Sequence, residues 1–167
     1  IRDRSLCYQL RAIISEGTTI VISPLIALMK NQVDQMVALG VSAKFLNSTL
    51  TKTEIKKVKQ EVISGEVKLL YVAPESLIKN ENIHFLNQAN ISFVAIDEVH
   101  CISEWGHDFR PEYSKISSLK EHFPQAVWGA YTATATKNVL DDIVKQLKLN
   151  NVEVFTYKSR RQNLAFQ

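Results

Sequence analysis

The sequence predicts an α/β domain, a mostly parallel sheet with helices on both faces. Two observations carry that prediction. Short apolar runs of strand length alternate with amphipathic stretches of helical period along the whole chain. Several of the runs are near-continuous in apolar residues, as strands buried on both faces are. A third observation agrees: five glycines and four prolines are too few for a linker-rich or disordered chain.

Taken in order, Ser5 to Ser15 places Leu6, Leu10, Ile13 and Ile14 at helical spacing and stops at Gly17. Thr18 to Ile22 is a short buried strand punctuated by Ser23-Pro24. Leu25 to Leu39 is a second amphipathic helix, closed by Gly40. Ala43 to Asn47 reads as another short strand. Thr51 is an N-cap, and Glu54 three residues on completes a capping box for a helix running to Ile63. Val67 to Ala73 is a strand with Pro74-Glu75 turning out of it, and Asn82 to Gln88 a short helix. Ile91 to Ile96 is a strand rich in β-branched and aromatic residues. Pro111 to Phe123 reads as a helix, Ala126 to Tyr131 as a strand, Thr136 to Leu147 as a helix and Val152 to Phe155 as a final strand.

The 167 residues are 46% hydrophobic and 22% charged, one globular domain with room for a substantial core. A net charge of +3 permits a nucleic-acid partner without demanding one. Cys7 and Cys101 lack metal-ligand spacing and read as reduced thiols. No apolar run approaches the ~18 residues of a membrane span, so no membrane partner is expected, and no signal peptide is visible. The chain begins at Ile1 rather than Met and reads as a piece of something longer.

The densest chemistry lies in ISFVAIDEVHCISEWGHDFRPEY, Ile91 to Tyr113. Asp97 and Glu98 follow the strand directly, at the carboxyl end where open parallel sheets bind ligands. Two acids there suit a hydrated Mg²⁺ and a base that orients water; taken alone, they equally suit the start of a polar loop. Trp105, His107, Asp108, Phe109, Arg110 and Tyr113 then crowd into nine positions, a mixture that makes poor core and poor linker.

Asp97 to Pro111 closely resembles the Walker B box and aromatic-rich loop of RecQ-type DNA helicases, with Val99 where that family usually has alanine. The resemblance extends over nearly the whole chain. Ser23 to Gln32, including Pro24 and Lys30, resembles the element that touches the nucleic-acid backbone. Tyr71 to Leu77, with Pro74 and Glu75, resembles the next DNA-facing element. Thr132 to Thr136 resembles the element coupling nucleotide state to DNA grip. Singly, each is also a helix cap or a strand-end turn; four in that order are specific.

The resemblance implies a RecA-like P-loop NTPase domain over residues 1–156, with 157–167 a linker toward a second motor domain. It implies ATP and Mg²⁺ as cofactors, and single-stranded and duplex DNA as partners. Ser5 and Asp97 would hold Mg²⁺, Glu98 would position or activate the attacking water, and Arg4, Ser5, Thr132 and Thr134 would line the nucleotide. His100 and the threonines would link the γ-phosphate to the DNA site. Trp105, His107, Phe109 and Arg110 would contact DNA, with Trp105 and Arg110 the exposed pair and one of the two aromatics buried. The parent protein would unwind DNA 3′ to 5′ in repair or recombination, in the nucleoid or the nucleus, with an arginine finger from the second motor domain.

The start departs from the family. Its Gly-Lys-Ser falls on Asp3-Arg4-Ser5, and Arg11 stands where proline is common. Phosphate loops need glycines and a lysine, and arginine's planar fork is a poor substitute for a compact ammonium. The strand before that loop is also missing from the chain, and a sheet deprived of a central strand should be unstable. Two readings stay open: a helicase motor whose phosphate loop lies upstream, or a non-hydrolysing DNA-binding module.

Overall fold

The computed structural model describes residues 4–156. Helix α1 is Ser5–Ile14, β1 Thr18–Ile22, α2 Ile26–Ala38, β2 Ala43–Leu46, α3 Lys52–Ile63 and β3 Leu69–Val72. The short helices α4 (Pro74–Leu77) and α5 (Asn80–Leu86) lead to β4, Ile91–Ile96. A 3₁₀ turn at Val99–Ile102 and helix α6 (Pro111–Ser114) precede a 3₁₀ segment, Ile116–Glu121. Strand β5 (Val127–Ala130) and helix α7 (Lys137–Gln146) follow. All strand pairs are parallel and the order is β2-β3-β1-β4-β5. The five strands are contiguous, so no place between them is left open, and β5 is an edge.

Alternation along the strands divides the core in two. Ile20, Ile22, Leu70, Val72, Val94 and Ile96 pack against α3, α5, α7 and the segments around Tyr113 and Leu119. Val21, Tyr71, Phe93 and Ala95 point the other way, onto Tyr8 and Ala12 of α1 and Met29, Val33 and Met36 of α2. Burial of both faces is why these strands are apolar throughout. The capping box of α3 forms as expected: Glu54 N–H donates to Thr51 Oγ1 at 3.3 Å and Thr51 N–H to Glu54 Oε2 at 2.8 Å.

Helix α1 forms where the spacing of Leu6, Leu10, Ile13 and Ile14 placed it, but that stripe faces out, each residue at least 45% exposed. Helix α1 instead buries Ser5, Tyr8 and Ala12; the Tyr8 ring packs edge-on against Tyr131 and its side chain bonds the Asp97 carboxyl. Pro111 to Phe123 is not one helix. The hydroxyls of Ser114, Ser117 and Ser118 donate to carbonyls three residues back, competing with helical bonding and tightening the chain into 3₁₀ geometry. Val152 to Phe155 forms no ladder; its side chains stay exposed, Phe155 at 89%, so neither pairing nor burial recruits it. The turn expected at Pro74-Glu75 is the first turn of α4, with proline at the position where its missing N–H is harmless. The segment read as a linker, 157–167, lies outside the described residues.

Candidate functional site

Parallel strands bring the ends of β1, β4 and β5 to one side of the sheet, and the ladder continues past them. Asp97 N–H donates to Ile22 O at 2.8 Å, Tyr131 N–H to Ile96 O at 2.9 Å, and Val99 N–H to Tyr131 O at 2.9 Å. Glu98, between these anchors, takes the left-handed conformation (φ 47°, ψ 44°), which turns the chain sharply into the 3₁₀ turn. Its N–H donates to Asp97 Oδ1 at 3.0 Å. The Tyr113 hydroxyl donates to the Asp97 carbonyl at 3.1 Å, and the Tyr8 side chain bonds the Asp97 carboxyl. Burial, followed by the neighbouring Glu98 charge, raises the Asp97 pKa above the ordinary carboxylate value; the Glu98 N–H, Arg4 and Tyr8 oppose the shift.

Glu98 is held from two sides. Arg4 Nη2 lies 2.6 Å from Oε1, joining the start of α1 to the end of β4. His100 Nδ1 lies 3.3 Å from Oε2 and 2.9 Å from Thr132 Oγ1, which carries the chain of contacts onto the loop after β5. Burial lowers the His100 pKa, with the Glu98 charge opposing. The other expected threonine, Thr134, is exposed and donates its N–H to Thr132 Oγ1 at 3.3 Å. Thr136 serves as the N-cap of α7. Ser5 is buried in the first turn of α1.

The aromatic loop closes back on the 3₁₀ turn. Arg110 N–H donates to Cys101 O at 2.8 Å, and the Ser103 hydroxyl donates to Asp142 Oδ2 on α7 at 2.6 Å. The His107 ring stacks on His100 with centroids 4.7 Å apart. Gly106 passes so close that a Cβ there would lie 2.8 Å from the His100 carbonyl oxygen. Trp105 is 78% exposed and Phe109 39%, so neither aromatic is buried, against the expectation for one of them. The loop is too tightly closed on its own backbone to fold either ring under it. Arg110, expected in the open, is half-buried, donating to Pro24 O and to Asp108 Oδ2, each at 3.4 Å. A groove of about 430 Å³ runs between Trp105, Gly106 and His107 and the loop from Ala133 to Thr136.

The remaining expected residues lie on other loops, with Pro24 reaching the aromatic loop through the carbonyl that Arg110 meets. Ser23 and Pro24 are buried at the end of β1, and the Ser23 hydroxyl accepts from Leu25 N–H at 3.4 Å, an ordinary turn bond. Lys30 is exposed and paired with Asp34 at 2.8 Å. Pro74 is buried and Glu75 half-buried. Tyr8 and Asp142 were not singled out from the sequence. Tyr113, counted among the residues that make poor core, is in fact wholly buried, as is Tyr8; the fold brings both side chains to Asp97, Tyr113 to its carbonyl and Tyr8 to its carboxyl. Asp142 sits in an unremarked helix face.

Comparison with known proteins follows this geometry. The DEAD/DEAH box helicase family matches residues 4–143. An ATP-dependent DNA helicase RecQ of Pasteurella multocida is 48% identical over 98% of this chain and 26% of its own length. One from Bacillus subtilis is 47% identical over 98% and 28%. The mouse ATP-dependent DNA helicase Q1 is 41% identical over 98% and 26%. The chain thus spans about a quarter of the length of these curated relatives. Among solved structures, the Mycobacterium smegmatis helicase Lhr, bound to ssDNA and AMP-PNP, has TM-score 0.61 at 17% identity, covering 86% of this chain and 21% of that one. The Pyrococcus furiosus Hef helicase domain has TM-score 0.54 at 14% identity, covering 89% and 31%. Both share this chain's fold over the matched region. The matched family covers the strand ends, the acidic pair and the aromatic loop alike: the chain belongs to the DEAD/DEAH box helicases.

Proposed function

We propose that this chain is the nucleotide-binding half of an ATP-dependent DNA helicase motor. The parent protein binds ATP with Mg²⁺, moves 3′ to 5′ on single-stranded DNA and unwinds duplexes in repair or recombination, in the nucleoid or the nucleus. The observation that carries the reading is the unbroken chain of contacts from Arg4 through Glu98 and His100 to Thr132. It joins the start of α1, the acidic strand end and the loop beside the Trp105 groove, the three places a motor must couple.

The residues fit the cofactors. Asp97, whose burial disfavours its charge, suits a divalent cation. Arg4 Nη1 is buried without a partner and suits a phosphate oxygen. Bound Mg²⁺-ATP supplies the transferable phosphoryl group. Glu98 orients water, and His100 relays the state of Glu98 to Thr132. Trp105 offers an exposed face on which an unstacked base can lie. A second RecA-like domain of the parent chain supplies the arginine finger, so hydrolysis by these residues alone is negligible.

The test is fluorescence anisotropy with a single-stranded oligonucleotide, together with binding of a fluorescent Mg²⁺-ATP analogue. Trp105→Ala should weaken DNA binding by about 1–3 kcal/mol, roughly fivefold to 150-fold, and leave nucleotide affinity alone. Equal DNA affinity would remove the stacking role. The Arg4–Glu98 pair favours a second reading, a non-hydrolysing DNA-binding module, since it engages the carboxylate that hydrolysis needs. Absence of any Mg²⁺-dependent nucleotide binding, with DNA binding retained, would select that module.

A further inference from the structure

The 3₁₀ turn and the aromatic loop place His100, Cys101 and Asp108 together. Their ligand atoms all lie within 4.8 Å of one another, with Cys101 Sγ 3.6 Å from Asp108 Oδ2. Cys101 is wholly buried and His100 is 6% exposed, whereas Asp108 reaches in from the surface. The sequence shows no metal spacing here, because the third residue arrives only when the loop doubles back at Gly106.

We propose that these three side chains bind a divalent transition metal of the Zn²⁺ class, distinct from the Mg²⁺ assigned to Asp97. Tetrahedral zinc, with Zn–S of ~2.3 Å and Zn–O of ~2.0 Å, sets a thiolate and a carboxylate oxygen about 3.5 Å apart. The Cys101–Asp108 spacing already matches. No separation in the set exceeds 4.8 Å, so each has to shrink by at most about 1.3 Å to reach the same value, within the reach of side-chain rotation. The backbone frame stands without an ion: Arg110 N–H holds Cys101 O, and Gly106 packs on His100 O. A sulfur, nitrogen and oxygen set selects Zn²⁺ or Co²⁺ over Mg²⁺, which prefers oxygen alone.

On binding, the Cys101 thiol gives its proton to solvent and its sulfur to the metal. Asp108 exchanges its S–H contact and the Arg110 guanidinium for the cation. Water takes the fourth position. The ion would fasten the loop carrying Trp105 to the end of β4. The inference rests on ligand geometry alone and stands or falls independently of the nucleotide reading.

The test is titration of the reduced 167-residue chain with Co²⁺, reading the near-ultraviolet thiolate-to-cobalt charge-transfer band. A band that Zn²⁺ abolishes and excess Mg²⁺ leaves intact is expected. The chain has two cysteines, so Cys7→Ser should keep the band and Cys101→Ser should lose it. Circular dichroism checks that Cys101→Ser has folded. Should it not, Asp108→Asn carries the test, since that side chain is 45% accessible; it should weaken Co²⁺ binding by about tenfold or more. No band in the unaltered chain, a band surviving in Cys101→Ser, displacement by Mg²⁺, or unchanged affinity in Asp108→Asn would overturn the proposal.

Discussion

Arg4 and Glu98 form a contact whose energy can be bounded before it is measured. Nη2 and Oε1 are 2.6 Å apart, and the two side chains retain 30% and 21% of their accessibility. Fully exposed pairs couple by about 0.2–1 kcal/mol. Stripping one partner from a fully buried pair costs about 3–5 kcal/mol. A short contact at the rim of the sheet lies between these limits, so we expect a coupling of about 1–2 kcal/mol. Arg4→Met removes the charge and keeps most of the stem; Glu98→Gln removes the charge and keeps the shape. Arg4→Met alone should be the more damaging change, because it leaves the Glu98 carboxylate beside Asp97 with His100 as its remaining contact. Urea denaturation of the parent, both single variants and the double variant closes the cycle. Repeating it at high salt should shrink the coupling only in part, since part of the pair is shielded from ions. A coupling under about 0.4 kcal/mol, the ordinary error of additivity, would refute the reasoning. Arg4 would then be a surface cation that happens to lie near the acidic pair.

Other outcomes follow from the same contacts. Asp97 has its pKa raised in the fold, so its ionisation opposes folding. The stability of its protonated state is complete below the unfolded pKa and is lost as pH rises through the folded one. Asp97→Asn should therefore raise the melting temperature at neutral pH, and the gain should vanish in acid; a pH-independent difference in calorimetry would count against burial as the cause. Gly106→Ala sets a methyl 2.8 Å from His100 O and 3.2 Å from Ser103 O, both backbone atoms. It should cost about 1–3 kcal/mol in chemical denaturation, and a neutral result would mean the loop yields freely. Thr51→Ala removes the cap of α3 from an exposed site and should cost about 1 kcal/mol; thermal melts would show it. Trp105→Ala should shift stability by less than about 0.5 kcal/mol, since its ring packs on little.

The sheet was legible because burial on both faces makes β1, β3 and β4 apolar at successive positions, a pattern needing no knowledge of the third dimension. The capping box was legible because both partners lie within one turn. The placement of Asp97 and Glu98 at a strand end was legible because they follow Ile96 directly. Failures came where distant contacts decide. Spacing gave helix α1 but not the side it buries; the sheet chose the side opposite Leu6 and Leu10, where Tyr8 spans from the helix toward Asp97 and packs edge-on against Tyr131. Val152 and Val154 read as strand by composition, yet a strand needs a neighbour to bond, and neither is paired. Exposure of Phe109 depended on how tightly the loop turns at Gly106, which a list of residue types does not encode.

The left-handed turn at Glu98 bears on how this protein can change over generations. Such a conformation disfavours any residue with a Cβ by roughly 1–2 kcal/mol relative to glycine. Among single replacements, then, glycine at 98 should fold more firmly than the glutamate it displaces, less whatever the Arg4 contact contributes. A population propagated in the laboratory for heat resistance alone would be drawn to discard this carboxylate, whereas, with Glu98 in its proposed role, one required to turn over nucleotide would be held to it. On the proposed reading, position 98 thus separates the two pressures.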